Sequence, residues 1–167
     1  MNFGFISARR TQALACTIAA GSLLTMALPS PDARAAGAFA ALNGSWSGSG
    51  NASFAGGETE KLRCTARYSG GGSNLAINLK CASASAQINL SGSLDANGSK
   101  VSGDWSESSY GLSGDARGSA SDSSVKLKIS GGTNGYLTLS VSGNRHTVAL
   151  SSQGTALTGV NVTLGRR

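Results

Sequence analysis

The chain has 167 residues, a formal net charge of +6, 24 glycines and only 13% charged residues. A chain of this length makes one domain with one core, so a second domain of ordinary size is excluded. The basic residues are scattered along the chain, which argues against the dense basic runs of a nucleic-acid-binding arm.

The first 35 residues have the features of a secretory signal peptide. A basic head with Arg9 and Arg10 precedes an apolar segment over residues 13–28, and two prolines end that segment. Small residues at the cleavage positions predict cleavage between Ala35 and Ala36, and hence a periplasmic or secreted protein. The apolar segment of about 16 residues is shorter than the roughly 20 that a spanning helix requires, which disfavours a retained membrane anchor.

The mature chain, residues 36–167, is predicted to be one folded β domain. It keeps 11 basic and 7 acidic residues, a net charge of +4, after the leader's three arginines and one aspartate are removed. Frequent glycine and serine can indicate disorder, but apolar and polar residues alternate in nearly every segment, which a disordered chain has no reason to maintain.

About ten short segments with this alternation follow one another along the mature chain. In the first, Trp46 and Phe54 share a face with small residues, while mostly serines occupy the other face. Glycine, asparagine and serine turns separate the segments. The apolar faces fall at residues 46–54, 62–68, 75–81, 88–90, 101–105, 110–116, 125–129, 137–141, 148–150 and 160–164.

Short strands joined by tight turns predict an all-β antiparallel meander of about eight to ten strands. A closed or nearly closed barrel would remove the exposed edges of such a sheet, and a two-sheet β-sandwich is the alternative. A transmembrane barrel is disfavoured, because aromatic residues are few and Lys126 and Lys128 lie on the face opposite the apolar one.

Cys64 and Cys81 are the only cysteines of the mature chain. If the second and third segments form a hairpin around residues 71–74, Cys64 lies opposite Cys81 and Tyr68 lies opposite Ile77, all on the apolar face. An exported protein can oxidise such a pair. We therefore predict a structural disulfide that closes a loop of about 17 residues.

Four residues are candidates for lining a ligand site: Trp46, Tyr68, Trp105 and Glu107. Each shares the apolar face of its strand, and glycines lie beside the two tryptophans. Core packing is the simpler interpretation of the aromatic rings. An inward carboxylate is costly unless it is paired. The alternative for Glu107, as for Glu60, is a position at the end of a strand, where the inward face becomes exposed to water.

The sequence contains no catalytic, metal-binding or cofactor-binding motif. His146 is the only histidine and is interpreted as a turn residue, since potential metal ligands do not cluster around it. The nearest approach to a nucleophile elbow, residues 114–118, has Ala116 where a serine would stand. The chain is therefore expected not to be an enzyme, and neither cofactor nor nucleic acid is implied.

Several short segments of the mature chain carry a resemblance to known proteins: residues 44–48, 60–64, 81–83, 103–107 and 162–164, together with Tyr68 and Arg167. In these segments the mature chain resembles a group of short exported proteins of unknown function from alphaproteobacteria. That resemblance implies a periplasmic or secreted location and supplies no activity.

A second resemblance is to lipocalin-like barrels, which begin with Gly-x-Trp on their first strand, as Gly44 to Trp46 do here. In that family the tryptophan closes one end of the barrel. The later Thr-Asp-Tyr motif of lipocalins is absent from this chain.

Two functional hypotheses follow from the sequence. The first is a non-catalytic exported barrel that binds a small apolar or amphipathic ligand. The second is a structural or interaction module of the cell envelope that acts through its polar surface. The first requires an internal cavity and the second does not.

Overall fold

The computed structural model describes residues 37–167. The proposed signal peptide and its cleavage site lie outside the described residues. Ten strands contain most of the described residues: β1 (Gly44–Phe54), β2 (Thr59–Gly71), β3 (Asn74–Ala82), β4 (Gln87–Asn97), β5 (Lys100–Glu107), β6 (Leu112–Ser121), β7 (Ser124–Gly131), β8 (Asn134–Ser142), β9 (Arg145–Gln153) and β10 (Leu157–Arg166).

Every strand pairs antiparallel with its neighbour in sequence, and β10 returns to pair with β1. The sheet therefore closes on itself, which confirms the predicted antiparallel meander and selects the barrel over the sandwich. Closure pairs the first strand with the last, so the sheet of the described residues has no free edge strand.

The alternation of the sequence sets the two faces of the barrel wall. On β7, for example, Val125, Leu127 and Ile129 are buried inside, while Lys126 and Lys128 are exposed outside. The outward positions of the other described strands are mainly serine, threonine, asparagine and charged residues. Among residues 37–167, no helix has the length and hydropathy to cross a membrane.

Inward-facing glycines allow close approach between neighbouring strands. A Cβ atom on Gly48 would lie 2.0 Å from the carbonyl oxygen of Thr163, and one on Gly50 would lie 2.0 Å from that of Asn161. Both clashes would be with β10, so side chains at these two positions are excluded unless the backbone shifts. Glycine thus permits the tight contact between first and last strands that closes the barrel.

The β2–β3 hairpin has the register predicted from the cysteines. Cys64 pairs with Cys81 and Tyr68 pairs with Ile77. The two sulfur atoms are 2.06 Å apart, and the two Cα atoms are 4.1 Å apart. The pair is thus placed to form the predicted disulfide across two adjacent strands.

The two ends of the barrel are built differently. At one end, which we call the closed end, residues 37–43 form turns that we call the plug; within it Leu42 donates its N–H to the carbonyl of Phe39. Phe39 and Leu42 are each 1% exposed, so the plug fills this end with apolar side chains. The other end, which we call the open end, is surrounded by the loops that follow β1, β3, β5, β7 and β9.

Candidate functional site

A cavity of about 370 Å³ occupies the barrel interior and extends to the open end. Leu42 of the plug is among its lining residues, so the plug provides the cavity floor. Tyr110, in the loop after β5, and Ala156, in the loop after β9, line it at the mouth, and both are exposed. The barrel is therefore a cup, sealed at one end and accessible at the other.

The wall of this cup is almost entirely apolar because inward positions of most strands are Leu, Ile or Val. Near the mouth these side chains are only half-buried, since they face the cavity instead of a packed neighbour. They include Ile88, Leu90, Leu112, Leu137, Leu150 and Leu157. Apolar walls with few polar groups are typical of small-molecule sites, whose volumes are commonly about 300–1,000 Å³.

Glu107 is the last residue of β5 and lines the cavity, although it is only 7% exposed. Its carboxylate accepts hydrogen bonds from the backbone N–H groups of Asn89 (2.7 Å), Ser109 (3.0 Å) and Tyr110 (2.7 Å). Burial acts to raise the pKa of Glu107, but these hydrogen bonds together outweigh burial and lower the pKa below its ordinary value. The ionised carboxylate therefore fixes the β5–β6 loop at the mouth.

Trp105 also lines the cavity, two residues before Glu107 on β5. Its indole N–H is buried and has no hydrogen-bond partner among the described residues. The ring therefore serves the wall as an apolar surface, and its polar atom adds no stabilising contact within residues 37–167.

Trp46 and Tyr68 do not line the cavity; they pack beside the plug at the closed end. The indole N–H of Trp46 donates to the carbonyl of Leu42 at 2.7 Å, and the Arg166 guanidinium lies 4.2 Å from the ring centroid. Arg166 also donates to the carbonyls of Asn43 and Ala41. Trp46 and Arg166 therefore attach the plug to the barrel wall.

His146 does not lie in a turn, contrary to the sequence-based interpretation. It is the second residue of β9, points inward and is 1% exposed. Its ring packs edge-on against Trp46, with centroids 4.6 Å apart, and lies 5.3 Å from the Tyr68 ring. Neither ring nitrogen has a hydrogen-bond partner among residues 37–167, and burial together with the Arg166 charge lowers the pKa of His146 to about 4.

Glu60 stands near the start of β2 at the open end, as a strand-end residue. Its carboxylate accepts hydrogen bonds from the hydroxyl (2.6 Å) and backbone N–H (3.2 Å) of Ser85. The side-chain hydrogen bonds of Ser83 and Ser85 are the largest influences that lower the pKa of Glu60. Glu60 thus ties the β3–β4 loop to β2 and does not line the cavity.

Of the four proposed ligand-lining residues, the structure thus places Trp105 and Glu107 on the cavity and Trp46 and Tyr68 in the closed end. The plug and the exposed Tyr110 were not predicted from the sequence as parts of the site. A spacing of three between Phe39 and Leu42, typical of one helical turn, was the available signal for the plug.

The fold and the cavity of the described residues together define a class: an antiparallel β-barrel with an apolar cup. No protein-family model matches the chain, and the search of curated proteins returned no sequence match. Among solved structures, the crystal structure of Rv2717c from M. tuberculosis is similar, with a TM-score of 0.64 and 16% identity. The match covers 78% of this chain and 95% of Rv2717c, and it shows a shared barrel fold.

Proposed function

We propose that this protein is an exported, non-catalytic barrel that binds a small apolar or amphipathic molecule inside its cup. The observation that carries the proposal is the apolar cavity of about 370 Å³, which has a floor at the plug and a mouth at the open end. A barrel interior filled by side chains would have removed the basis for it.

The size of the cavity limits the size of the ligand. An apolar cavity of about 150 Å³ can bind benzene, so a space about two and a half times larger suits a ligand of roughly fifteen non-hydrogen atoms. At about 0.3 kcal/mol per atom, a value usual for larger ligands, such a molecule binds with a Kd in the submillimolar range; better contacts bring it to micromolar.

Export is supported by the cysteine pair and by the features of the leader. Cys64 and Cys81 face each other at bonding distance, and disulfides persist in oxidising compartments. The resemblance to short exported alphaproteobacterial proteins supports the same location. Mass spectrometry of the protein from the periplasm or medium of its own host tests this: we expect a chain that begins at Ala36, and a chain retaining residues 1–35 would contradict it.

Ligand binding is tested first by native mass spectrometry of the protein purified from its host, where a released small molecule identifies the ligand class.

A neutral fluorescent naphthylamine, N-phenyl-1-naphthylamine, then measures access to the cavity. Leu150→Trp places a larger ring inside the cup and should abolish probe binding. Ser151→Trp is the matched control, because the next residue on β9 is exposed outside; equal probe binding by both variants would contradict the proposal.

A second candidate function is an interaction of the outer surface with an anionic component of the cell envelope. The observation that favours it is a basic stripe on the outside of β2 and β3, formed by Lys61, Arg63, Arg67 and Lys80, all exposed. Lys80 pairs with Thr65, between the two arginines. This candidate requires retention on cell-envelope fractions that weakens as salt is raised; retention that is absent or independent of salt contradicts it.

A further inference from the structure

The charged side chain that faces the cavity is acidic. It belongs to Glu107, whereas Asp104 is exposed on the outward face of β5, and none of the described lining residues is lysine, arginine or histidine. An anionic group that enters the cup therefore finds no counter-charge in the wall.

The mouth has the same sign as the wall. The five loops of the open end, residues 55–58, 83–86, 108–111, 132–133 and 154–156, contain one charged residue, Glu58. Glu60 adds a second carboxylate near the start of β2. Arg145, Arg166 and Arg167 belong to the closed end. The basic residues nearest the mouth, Lys61 and Lys80, are exposed on the outward faces of β2 and β3 and do not face the cup.

Glu107 presents an ionised carboxylate that only accepts hydrogen bonds. It accepts from three backbone N–H groups, and a side-chain hydrogen bond from Ser109 also lowers its pKa. The polar end of a ligand beside such a carboxylate is favoured when it is a donor or a cation. Hydroxyl, amide and ammonium groups qualify, whereas carboxylate and phosphate groups are repelled.

We infer that the cup selects amphiphiles whose polar end is an uncharged or cationic hydrogen-bond donor, and that it rejects amphiphiles with an anionic end. This inference rests on the proposed function and names its ligand class. The wall determines size and apolarity, while Glu107 and the acidic mouth determine the sign of the polar end. An anion would lose its hydration and face like charges across a medium of low dielectric constant.

The test compares ligands that share one alkyl chain and differ in the polar end. Decanol, decylamine and decanoate are titrated against bound N-phenyl-1-naphthylamine at pH 7.5, below their micelle-forming concentrations. We expect decanol and decylamine to displace the probe, and decanoate to require at least about tenfold more. Methyl decanoate, which removes the anion, should displace the probe better than decanoate does.

A variant that adds a counter-charge should reverse the selection. Tyr110 lines the mouth and is 58% exposed, so Tyr110→Arg places a guanidinium there without disturbing packed residues. We expect decanoate to bind Tyr110→Arg about tenfold more tightly than it binds the unaltered protein. Tyr136→Arg is the matched control, because Tyr136 is 62% exposed on the outside of β8, and it should leave the selection unchanged.

The results of these titrations distinguish a failure of charge selection from a failure of the proposed ligand binding. If the probe and all four ligands fail to bind, the proposed function is wrong. If the probe binds and decanoate displaces it as well as decanol does, the cup is a binding site but its selection by charge is overturned. Equal gains in decanoate affinity for Tyr110→Arg and Tyr136→Arg would likewise overturn the role of the mouth.

Discussion

The closed and open ends of the barrel are made from the same alternating strands, yet they use their inward residues differently. At the closed end, Phe39, Leu42 and Trp46 are each 1% exposed and belong to the packed core. At the open end, Leu112, Leu150 and others of the same residue types stay half-buried around the cavity. The plug, and not a change of strand pattern, therefore distinguishes the packed end from the end that contains the cavity.

The two tryptophans provide the sharpest contrast between the ends. Trp46→Ala should destabilise the protein by about 3–5 kcal/mol, as for other fully buried aromatic residues, and it also removes the hydrogen bond to Leu42. Trp105→Ala should cost less, about 2–3 kcal/mol, because the ring already borders free space and its N–H has no partner among the described residues. Urea unfolding measures both; equal losses would contradict the contrast between the ends.

The open end lacks a plug, but its wall includes Cys81, which pairs with Cys64. Replacing both cysteines by alanine should lower the free energy of unfolding by about 3 kcal/mol, because the 17-residue loop is no longer closed in the unfolded chain. Unfolding of the unaltered protein with and without reductant gives the same quantity independently. A reductant effect that persists in the double variant would show that the stabilisation has another source.

The closed end should depend on pH through His146. Its pKa is about 4 in the folded protein against an ordinary 6.5, so protons bind the unfolded chain more readily and acid favours unfolding. Stability is therefore fully present above pH 6.5 and falls by up to about 3 kcal/mol as pH is lowered toward 4.

His146→Leu provides the control for that pH dependence, because leucine fills similar space and does not titrate. Unfolding measured from pH 7 to pH 4.5 should be nearly independent of pH in this variant. The pKa values of Glu60 and Glu107 are lowered from 4.5. The stability that these two ionised carboxylates contribute is therefore lost mainly as the pH falls below 4.5, outside this window. The same slope in both proteins would exclude His146 as its origin.

The smallest of these effects concerns the attachment of the plug. Arg166→Gln removes the cation from the Trp46 ring and weakens the hydrogen bonds to Ala41 and Asn43, which should cost about 1–2 kcal/mol. Arg167→Gln changes an exposed residue whose side chain donates one hydrogen bond to the Ser47 hydroxyl, and it should cost less than about 0.5 kcal/mol. Thermal unfolding distinguishes the two, and equal shifts would show that Arg166 does not hold the plug.

Much of the fold was predictable because alternation and tight turns are local properties of the sequence. The β2–β3 register followed from one further condition, that Cys64 and Cys81 meet on the apolar face, and the structure has that register. His146 was misassigned because glycine and asparagine at positions 143 and 144 indicate a turn. His146 is separated from Val148 and Leu150 by even numbers of residues, so it shares their face of the strand. That alternation was the signal that β9 already includes His146.

The site was less predictable, because a cavity is the difference between the space that a barrel encloses and the volume of its inward side chains. No local pattern contains that difference. The alternation correctly indicated that Glu107 points inward, but its backbone partners come from Asn89 and from the loop after β5, and the contact with Asn89 requires the pairing of β4 with β5. The alternation of inward and outward positions also did not distinguish Trp105, which lines the cavity, from Trp46, which packs beside the plug.

The pairing of β1 with β10 sets the order in which this molecule can form. Trp46 lies opposite Arg166, so the first and last strands meet across nearly the whole described chain. Hairpins such as β2–β3 can form as soon as their own residues are present, whereas the ring cannot close until the final strand arrives. In a chain delivered amino end first, β1 therefore has no partner along the seam that Gly48 and Gly50 permit until β10 has emerged.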